Sequence, residues 1–272
     1  MAYDLYIPDQ LYPEHALRRT THLAIGAHAD DLEIMAYHGI AACYDRHDLW
    51  FGGIVVTDGA GSSQEGLYAQ LSPSELVHLR QQEQRKAAEL GRYSFVAQLD
   101  FSSAQTKTAA TEVTQKIASL LHQTQPETLY LHNPADKHGT HIAVLKCCLA
   151  ALHSLRPDQQ PKNIYGCEVW RDLDWLADES KVALDCSAYP ELAKGLIFLF
   201  NSQISGGKRY DLATLGRRHA NATFSDPRQT DKMQALTWAL DLSPLLDPKI
   251  SVESFMQEHL ENFKNTVLKS LS

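Results

Sequence analysis

The chain has 272 residues and a net charge of −8, and 44% of its residues are hydrophobic. This composition is typical of a soluble globular protein, and the length suits one large α/β domain better than two full domains. The acidic balance excludes a general nucleic-acid surface, which needs clustered Lys and Arg. No apolar run approaches the length of a membrane span, so we expect a cytoplasmic protein that binds neither nucleic acid nor membrane.

The cysteines form an odd set without CxxC spacing. This pattern disfavours both a disulfide framework and a thiolate zinc site. We therefore expect reduced, mostly buried thiols at Cys43, Cys147, Cys148, Cys167 and Cys186.

Between residues 22 and 171, short apolar runs alternate with longer amphipathic runs, as in the βαβ units of a parallel sheet. Ser72, Pro73 and Glu75 form a capping signal for the start of one helix, and Gly91 is its natural end. The predicted elements of this part are strands at 22–27, 51–57, 93–99 and 128–132, with helices at 32–44, 73–91, 111–123 and from about 141. This order predicts an α/β fold, a Rossmann-like doubly wound, mostly parallel sheet with helices on both faces.

The pattern changes beyond Pro161. Further strands are predicted at 163–170 and 181–185, and helices near 191–199 and 252–271. We interpret the chain as a single domain over 1–272, in which 22–160 form the catalytic α/β core and 161–272 form a C-terminal cap on the main sheet.

Two polar segments follow predicted strands, where open α/β sheets bind their ligands. The first is GAHADDLE at 26–33, which crowds His28, Asp30 and Asp31 together directly after an apolar strand. Such crowding is costly unless a cation neutralises the acidic groups. Taken alone the segment is also compatible with simple helix capping.

The second segment is HNPADKHGTHIAV at 132–144, in which His138 and His141 lie three positions apart at the start of a helix and can face one pocket. Histidines with a carboxylate form the three-ligand set of catalytic zinc, which leaves one coordination position for water. The same donor set also describes the facial triad of iron(II) oxygenases. The presence of both segments at equivalent strand ends favours a metal site over two unrelated polar loops.

These segments resemble the motifs of the LmbE-like, or PIG-L-type, N-acetylglucosaminide deacetylase family, AHPDDE and HPDH. The resemblance spans about 23–155. The matching parts are AHADD at 27–31 followed by Glu33, HGTH at 138–141, and an arginine-bearing helix with LR at 79–80, Glu83 and KAAELG at 86–91.

The resemblance implies a role for each matching residue. One zinc ion per chain, with iron(II) as the alternative, would be held by His28, Asp31 and His141. Asp30 would be the general base and His138 would stabilise the tetrahedral intermediate. Arg80 would contact the substrate, with a solvated arginine on a helix surface as the competing interpretation.

Three departures from the family pattern concern Ala29, Thr140 and Asn201. Ala29 replaces the usual proline and should only loosen the turn. Thr140 replaces an aspartate between the two histidines, so His138 should lose its proton at lower pH, unless Thr140 merely caps the helix. Asn201 stands before Ser-Gln where the family often has a histidine.

The implied activity is removal of an acetyl group from an N-acetylated sugar of the GlcNAc type, which releases acetate and a free amine. The alternatives are an amidase that acts on a larger N-acyl conjugate, an iron(II) oxygenase, and a non-catalytic metal- or sugar-binding module. Aromatic residues within 165–175 are candidates to line a sugar site, and 57–63 are predicted to form a flexible loop at the pocket edge. A homo-oligomer is compatible with the sequence.

Overall fold

The computed structural model describes residues 3–61, 65–108 and 110–272, and their strands form one eight-stranded sheet. The strands are β1 (Asp4–Tyr6), β2 (His22–Gly26), β3 (Phe51–Thr57), β4 (Phe95–Phe101), β5 (Thr128–His132), β6 (Asn163–Cys167), β7 (Val182–Asp185) and β8 (Leu236–Asp241). Their spatial order is β1-β4-β3-β2-β5-β6-β8-β7. Neighbours from β4 to β6 are parallel, whereas β1, β7 and β8 pair antiparallel, which confirms a mixed, mostly parallel sheet.

The helices cover both faces of this sheet, as a doubly wound layout requires. They are α1 (Pro13–Arg18), α2 (Asp31–Met35), α3 (Tyr37–Cys43), α4 (Pro73–Leu90), α5 (Ser103–Thr108), α6 (Ala110–Thr124), α7 (Gly139–His153), α8 (Pro190–Phe198), α9 (Asn201–Ile204), α10 (Tyr210–Thr223) and α11 (Val252–Leu271). Alternate residues of β2 enter two separate buried clusters, Leu23 and Ile25 on one face and Ala24 on the other. Helices α6 and α7 pack on the first face, and α2, α3, α4 and α8 on the second.

The predicted helix at 32–44 is broken into α2 and α3 at Ala36. The physical reason is Arg218 of α10, whose Nη2 donates to the carbonyl oxygens of Glu33 at 2.7 Å and Ile34 at 3.1 Å. In a continuous helix these carbonyls would accept from backbone N–H groups four residues later. A distant side chain therefore satisfies the end of α2.

The start of α4 is the predicted capping box. The Ser72 hydroxyl accepts from the backbone N–H of Glu75 at 3.3 Å, and the Glu75 carboxylate accepts from the backbone N–H of Ser72 at 2.8 Å. Pro73 occupies the first helical position and Gly91 is the C-cap, as expected. The five cysteines are free and buried.

The region after residue 161 does more than cover the sheet. Its strands β6, β7 and β8 extend the sheet itself. The sequence pattern did not predict β1, β8, α1, α5, α9 or α10. The division into core and cap within a single domain stays a prediction. Within the described ranges, no helix combines the length and apolarity that crossing a membrane requires.

Candidate metal centre

Both polar segments lie at the same edge of the sheet because β2 and β5 are adjacent and parallel. The chain leaves β2 through His28 and enters α2 at Asp31, and it leaves β5 through His132 and enters α7 at Gly139. The two loops therefore meet at the carboxyl ends of their strands, the place where open α/β sheets bind ligands.

The carboxylate of Asp31 is fixed by the backbone of its own loop. Its Oδ2 atom accepts hydrogen bonds from the backbone N–H groups of Ala27 at 3.0 Å and His28 at 2.7 Å. Burial opposes its ionisation, but the charges of His141 and His132, together with side-chain hydrogen bonds from His132 and His28, hold the pKa of Asp31 well below its usual range. Asp31 is thus an ionised, oriented oxygen donor.

The three predicted ligands present their donor atoms at nearly equal distances. His28 Nδ1 lies 3.2 Å from His141 Nε2 and 3.3 Å from Asp31 Oδ2, and His141 Nε2 lies 3.4 Å from the same Asp31 oxygen. A tetrahedral zinc ion with bonds of about 2.0–2.2 Å needs ligand atoms about 3.3–3.5 Å apart. The residues present fit such an ion.

Two further histidines extend this cluster into overlapping donor sets. Atoms of His28, His138 and His141 lie within 4.8 Å of one another, as do atoms of Asp31, His132 and His141. His132 is the poorer ligand because its Nε2 already accepts the backbone N–H of Ala27 at 3.0 Å. We therefore favour the predicted trio, and the assignment stays a prediction.

His132 and Asp136 belong to the site, although the sequence analysis assigned them no role. His132 is fully buried and stacks on His141 with ring centroids 3.8 Å apart. Asp136 places Oδ2 3.5 Å from His141 Nδ1 and accepts the backbone N–H groups of His138 and Trp170 at 2.8 and 3.0 Å. A carboxylate behind a ligating imidazole commonly fixes its orientation. The signal for both residues was their position at the end of the buried strand β5 or within the loop that follows it.

Asp30 faces the same pocket and differs sharply from Asp31. It has the left-handed backbone conformation at φ 83°, it is 5% exposed, and its Oδ2 has no hydrogen-bond partner among the described residues. Burial, followed by the charges of Asp31 and Glu33, raises the pKa of Asp30 well above its usual range. The pKa is therefore raised at Asp30 and lowered at the adjacent Asp31. Such a difference suits Asp30 to the role of base and Asp31 to that of metal ligand.

Arg80 lies beside Asp30 in the pocket wall and is only 4% exposed, so the interpretation as a solvated surface arginine is wrong. Its guanidinium donates to the carbonyl oxygen of Gly59. Gly59 has a positive φ of 71°, and a Cβ atom there would lie 2.9 Å from Arg80 Nη1. The predicted pocket-edge loop therefore contacts Arg80 at Gly59, whereas Ser62 and Ser63 of that loop lie outside the described residues.

His138 lies at the N-cap of α7, with its ring 4.7 Å from that of His141 and 5.8 Å from that of Trp170. Burial and then His28 lower the pKa of His138, whereas Asp31 and Asp136 oppose this effect. Because burial and His28 cause this shift, the expected effect of Thr140 on the pKa of His138 stays a prediction. Thr140 is not the cap residue, since α7 begins at Gly139.

The segment around Asn201 is held against the site by its other two polar residues. Gln203 donates to the carbonyl oxygen of Ala29 at 2.5 Å, and the Ser202 hydroxyl donates to Glu83 at 2.6 Å. Asn201 is exposed and donates to the Tyr68 hydroxyl instead. Of this segment, Gln203 lines the pocket with the candidate ligands.

The fold and the donor cluster together define an α/β protein with a candidate metal centre at the carboxyl ends of adjacent strands. Residues 23–152 match the family model described as PIG-L, GlcNAc-PI de-N-acetylase. This part of the chain belongs to the PIG-L, or LmbE-like, family. No curated protein sequence matches the chain.

Solved structures with similar folds have low sequence identity to this chain. N,N'-diacetylchitobiose deacetylase from Pyrococcus horikoshii has a TM-score of 0.64 at 17% identity, over 87% of this chain and 88% of its own. The hydratase GalB from Pseudomonas putida KT2440, which acts on 4-carboxy-2-hydroxymuconate, has a TM-score of 0.62 at 16% identity, over 82% and 95%. The zinc-inhibited form of teicoplanin deacetylase Orf2 has a TM-score of 0.56 at 18% identity, over 81% and 97%. At such identities the likeness shows the fold alone.

Proposed function

We propose that this protein is a metal-dependent hydrolase that removes an acetyl group from an N-acetylated sugar of the GlcNAc type and releases acetate and a free amine. The observation that carries the proposal is the ligand-spaced triangle of His28, Asp31 and His141. Beside it lies a buried carboxylate oxygen of Asp30 that has no hydrogen-bond partner among the described residues. The family match and the names of the deacetylases with this fold support it. We further propose that the protein acts in the cytoplasm.

The ligand residues have the protonation states that metal binding requires. Burial lowers the pKa of His141 to about 4, so its imidazole is neutral near pH 7, and Asp31 is ionised. A zinc or iron(II) ion bound there supplies an acidified water and polarises the acetyl carbonyl.

Asp30 is suited to move protons in this reaction. Its raised pKa gives it a high proton affinity, and its free Oδ2 atom lies in the pocket rather than in a hydrogen bond. Asp30 would take a proton from the attacking water and deliver it to the departing amine nitrogen. Arg80, in the same wall, would hold a polar group of the substrate.

His138 would donate a hydrogen bond to the oxyanion that develops on the acetyl carbonyl. Its lowered pKa disfavours the doubly protonated ring in the free protein. The neutral ring still carries one N–H group, and a developing oxyanion would favour the charged form. Its contact with Trp170 keeps the ring at the substrate side of the cluster.

The proposal is tested by measuring metal content and amine release on one preparation of the full chain. Zinc bound at one ion per chain, with fluorescamine-detected amine from N-acetylglucosamine, is the expected result. If amine were released only from larger N-acyl conjugates, the protein would be the amidase of the alternative hypothesis. Bound iron with oxygen-dependent turnover would indicate an oxygenase, and a metal-free, inactive protein would indicate a binding module.

A further inference from the structure

We infer that the substrate carries an anionic group, a carboxylate or a phosphate, which binds in a basic cavity next to the candidate metal centre. The basic cavity is the space lined by Lys208, Arg209, Arg217 and Arg218 together with Trp170 and Tyr210. This inference rests on the proposed function and deepens it by naming a substrate class.

The pocket at the candidate metal centre and the basic cavity differ in volume, and we assign a different part of the substrate to each. The pocket at His28, Asp30 and His138 has a volume of about 70 Å³. The basic cavity is larger, at about 210 Å³, and shares the walls formed by Trp170 and Tyr210. We assign the acetyl group to the smaller space beside the donor cluster and the rest of the substrate to the larger one.

The charge of the basic cavity is opposite to that of the chain. Of the described residues that line it, four are basic and one, Glu168, is acidic, whereas the chain has a net charge of −8. The Glu168 carboxylate accepts from the backbone N–H groups of Trp238 at 3.0 Å and Leu173 at 3.1 Å and also from the Asn221 amide. These hydrogen bonds fix the Glu168 carboxylate, and its single negative charge offsets only part of the positive charge of Arg217 and Arg218.

Within the described part of the chain, one of the four basic side chains forms an ion pair. Arg209 pairs with Asp211 at 2.7 Å. No ion pair of Lys208, Arg217 or Arg218 is present within the described ranges. Lys208 Nζ lies 5.4 Å from the Trp170 ring centre. An oxyanion in the cavity would therefore meet up to three cations that form no ion pair with the described residues.

Arg218 is the side chain that most requires an anionic partner. It is 3% exposed, and Nη2 is occupied by the two carbonyl oxygens at the end of α2. Its Nε and Nη1 atoms have no hydrogen-bond partner among the described residues. The Tyr37 ring, whose centre lies 4.9 Å from the guanidinium carbon, offsets part of the cost of burying this charge. A bidentate oxyanion would offset the rest, because no carboxylate among the described residues forms an ion pair with Arg218.

The experiment compares one neutral and three anionic ligands by calorimetry, with metal-free and zinc-loaded full chain. The neutral ligand is N-acetylglucosamine. The anionic ligands are N-acetylglucosamine 1-phosphate, N-acetylglucosamine 6-phosphate and N-acetylmuramic acid, which place a phosphate or a carboxylate at three positions of the ring. At least one anionic ligand should bind about tenfold or more tightly than the neutral one, since hydrogen bonds to charged groups are strong.

The variants Lys208→Met, Arg217→Met and the double variant should reduce this preference without changing the Kd of N-acetylglucosamine or the zinc content. Lys232→Met removes one exposed positive charge outside the basic cavity, so its preference should equal that of the wild type. Arg218→Lys should keep the fold and weaken anion binding, because a lysine cannot form the bidentate pair. Circular dichroism and zinc content identify any variant that fails to fold.

The outcomes separate this inference from the proposed function. Equal affinity for all four ligands, or a preference that survives both in the double variant and in Arg218→Lys, would overturn the basic cavity as the anion site even if every ligand released its amine. A preference that the double variant abolishes would support the basic cavity as the anion site. If, in addition, no ligand released its amine, the deacetylase activity would be overturned and the anion site would stand. Preference for the phosphates or for the carboxylate would identify the anionic group.

Discussion

The candidate metal centre and the basic cavity share two walls but come from different parts of the chain. The donor cluster is built from the loops after β2 and β5, within the residues that match the family model. The basic cavity is built mainly from the loop after β6 and from α10, beyond residue 152. On our proposals, the first region would carry out the reaction and the second would select the substrate.

The strongest test of this division is removal of a ligand from the first region. His141→Ala should lose the bound metal and all measurable amine release, since three protein ligands hold the ion and two bind it poorly. Plasma mass spectrometry of the purified protein gives the metal content. His47→Ala, at an exposed position, is the matched control and should keep both. Full zinc occupancy in His141→Ala would contradict the ligand assignment.

Removal of the base should separate metal binding from turnover. Asp30→Asn should keep its zinc but lower kcat by about 10²–10⁴-fold, the usual contribution of general acid–base catalysis. Steady-state kinetics on metal-loaded protein measure the change. Near-normal kcat in a zinc-replete variant would assign the proton transfers to another group.

A smaller effect is expected from Asp136, which supports a ligand without contacting the substrate. Asp136→Asn keeps the shape of the side chain but removes the negative charge 3.5 Å from His141 Nδ1. Metal affinity should fall by about 10–100-fold, as for other residues that orient ligands. Competition with a chromophoric chelator measures this change, and excess zinc should restore kcat. Unchanged affinity would mean that Asp136 only fixes the loop backbone.

The smallest of these effects should come from the second region. Trp170→Ala should raise KM by about tenfold, as loss of an aromatic contact often does, with little change in kcat or zinc content. Trp175→Ala is a matched tryptophan control, because Trp175 packs on Phe263 of α11 and lines neither space. A large loss of kcat at constant KM would show that Trp170 acts through His138, and the two regions would then be one.

The sequence predicted the first region well because strand ends are visible as patterns. The apolar run at 22–27 and the run at 128–132 place His28, Asp30, Asp31, His138 and His141 at one edge of a parallel sheet, and the structure brings these side chains together. The second region has no such local signature. In the sequence, Arg217 and Arg218 are simply two basic residues of an amphipathic helix. Their place beside the cluster depends on β8 and the loop after β6, which position that helix in the folded protein.

The same limit explains the errors in the fold. The break between α2 and α3 at Ala36 has no glycine or proline at that position to indicate it, because its cause is the side chain of Arg218, 185 residues from Glu33. Strand β1 has only three residues, and β8 joins the sheet antiparallel between β6 and β7. Such pairings depend on tertiary packing rather than on local preference.

The hydrogen bonds from Arg218 to the end of α2 also bear on how the protein folds. They join positions 185 residues apart in the chain, so the turn that carries Asp31 reaches its final shape only after α10 has docked. Contacts of such long range form late and slow the folding of a chain. A fragment that ends at residue 152 lacks that arginine altogether. Assembly of the donor cluster is therefore a late, non-local event, even though its residues lie early in the sequence.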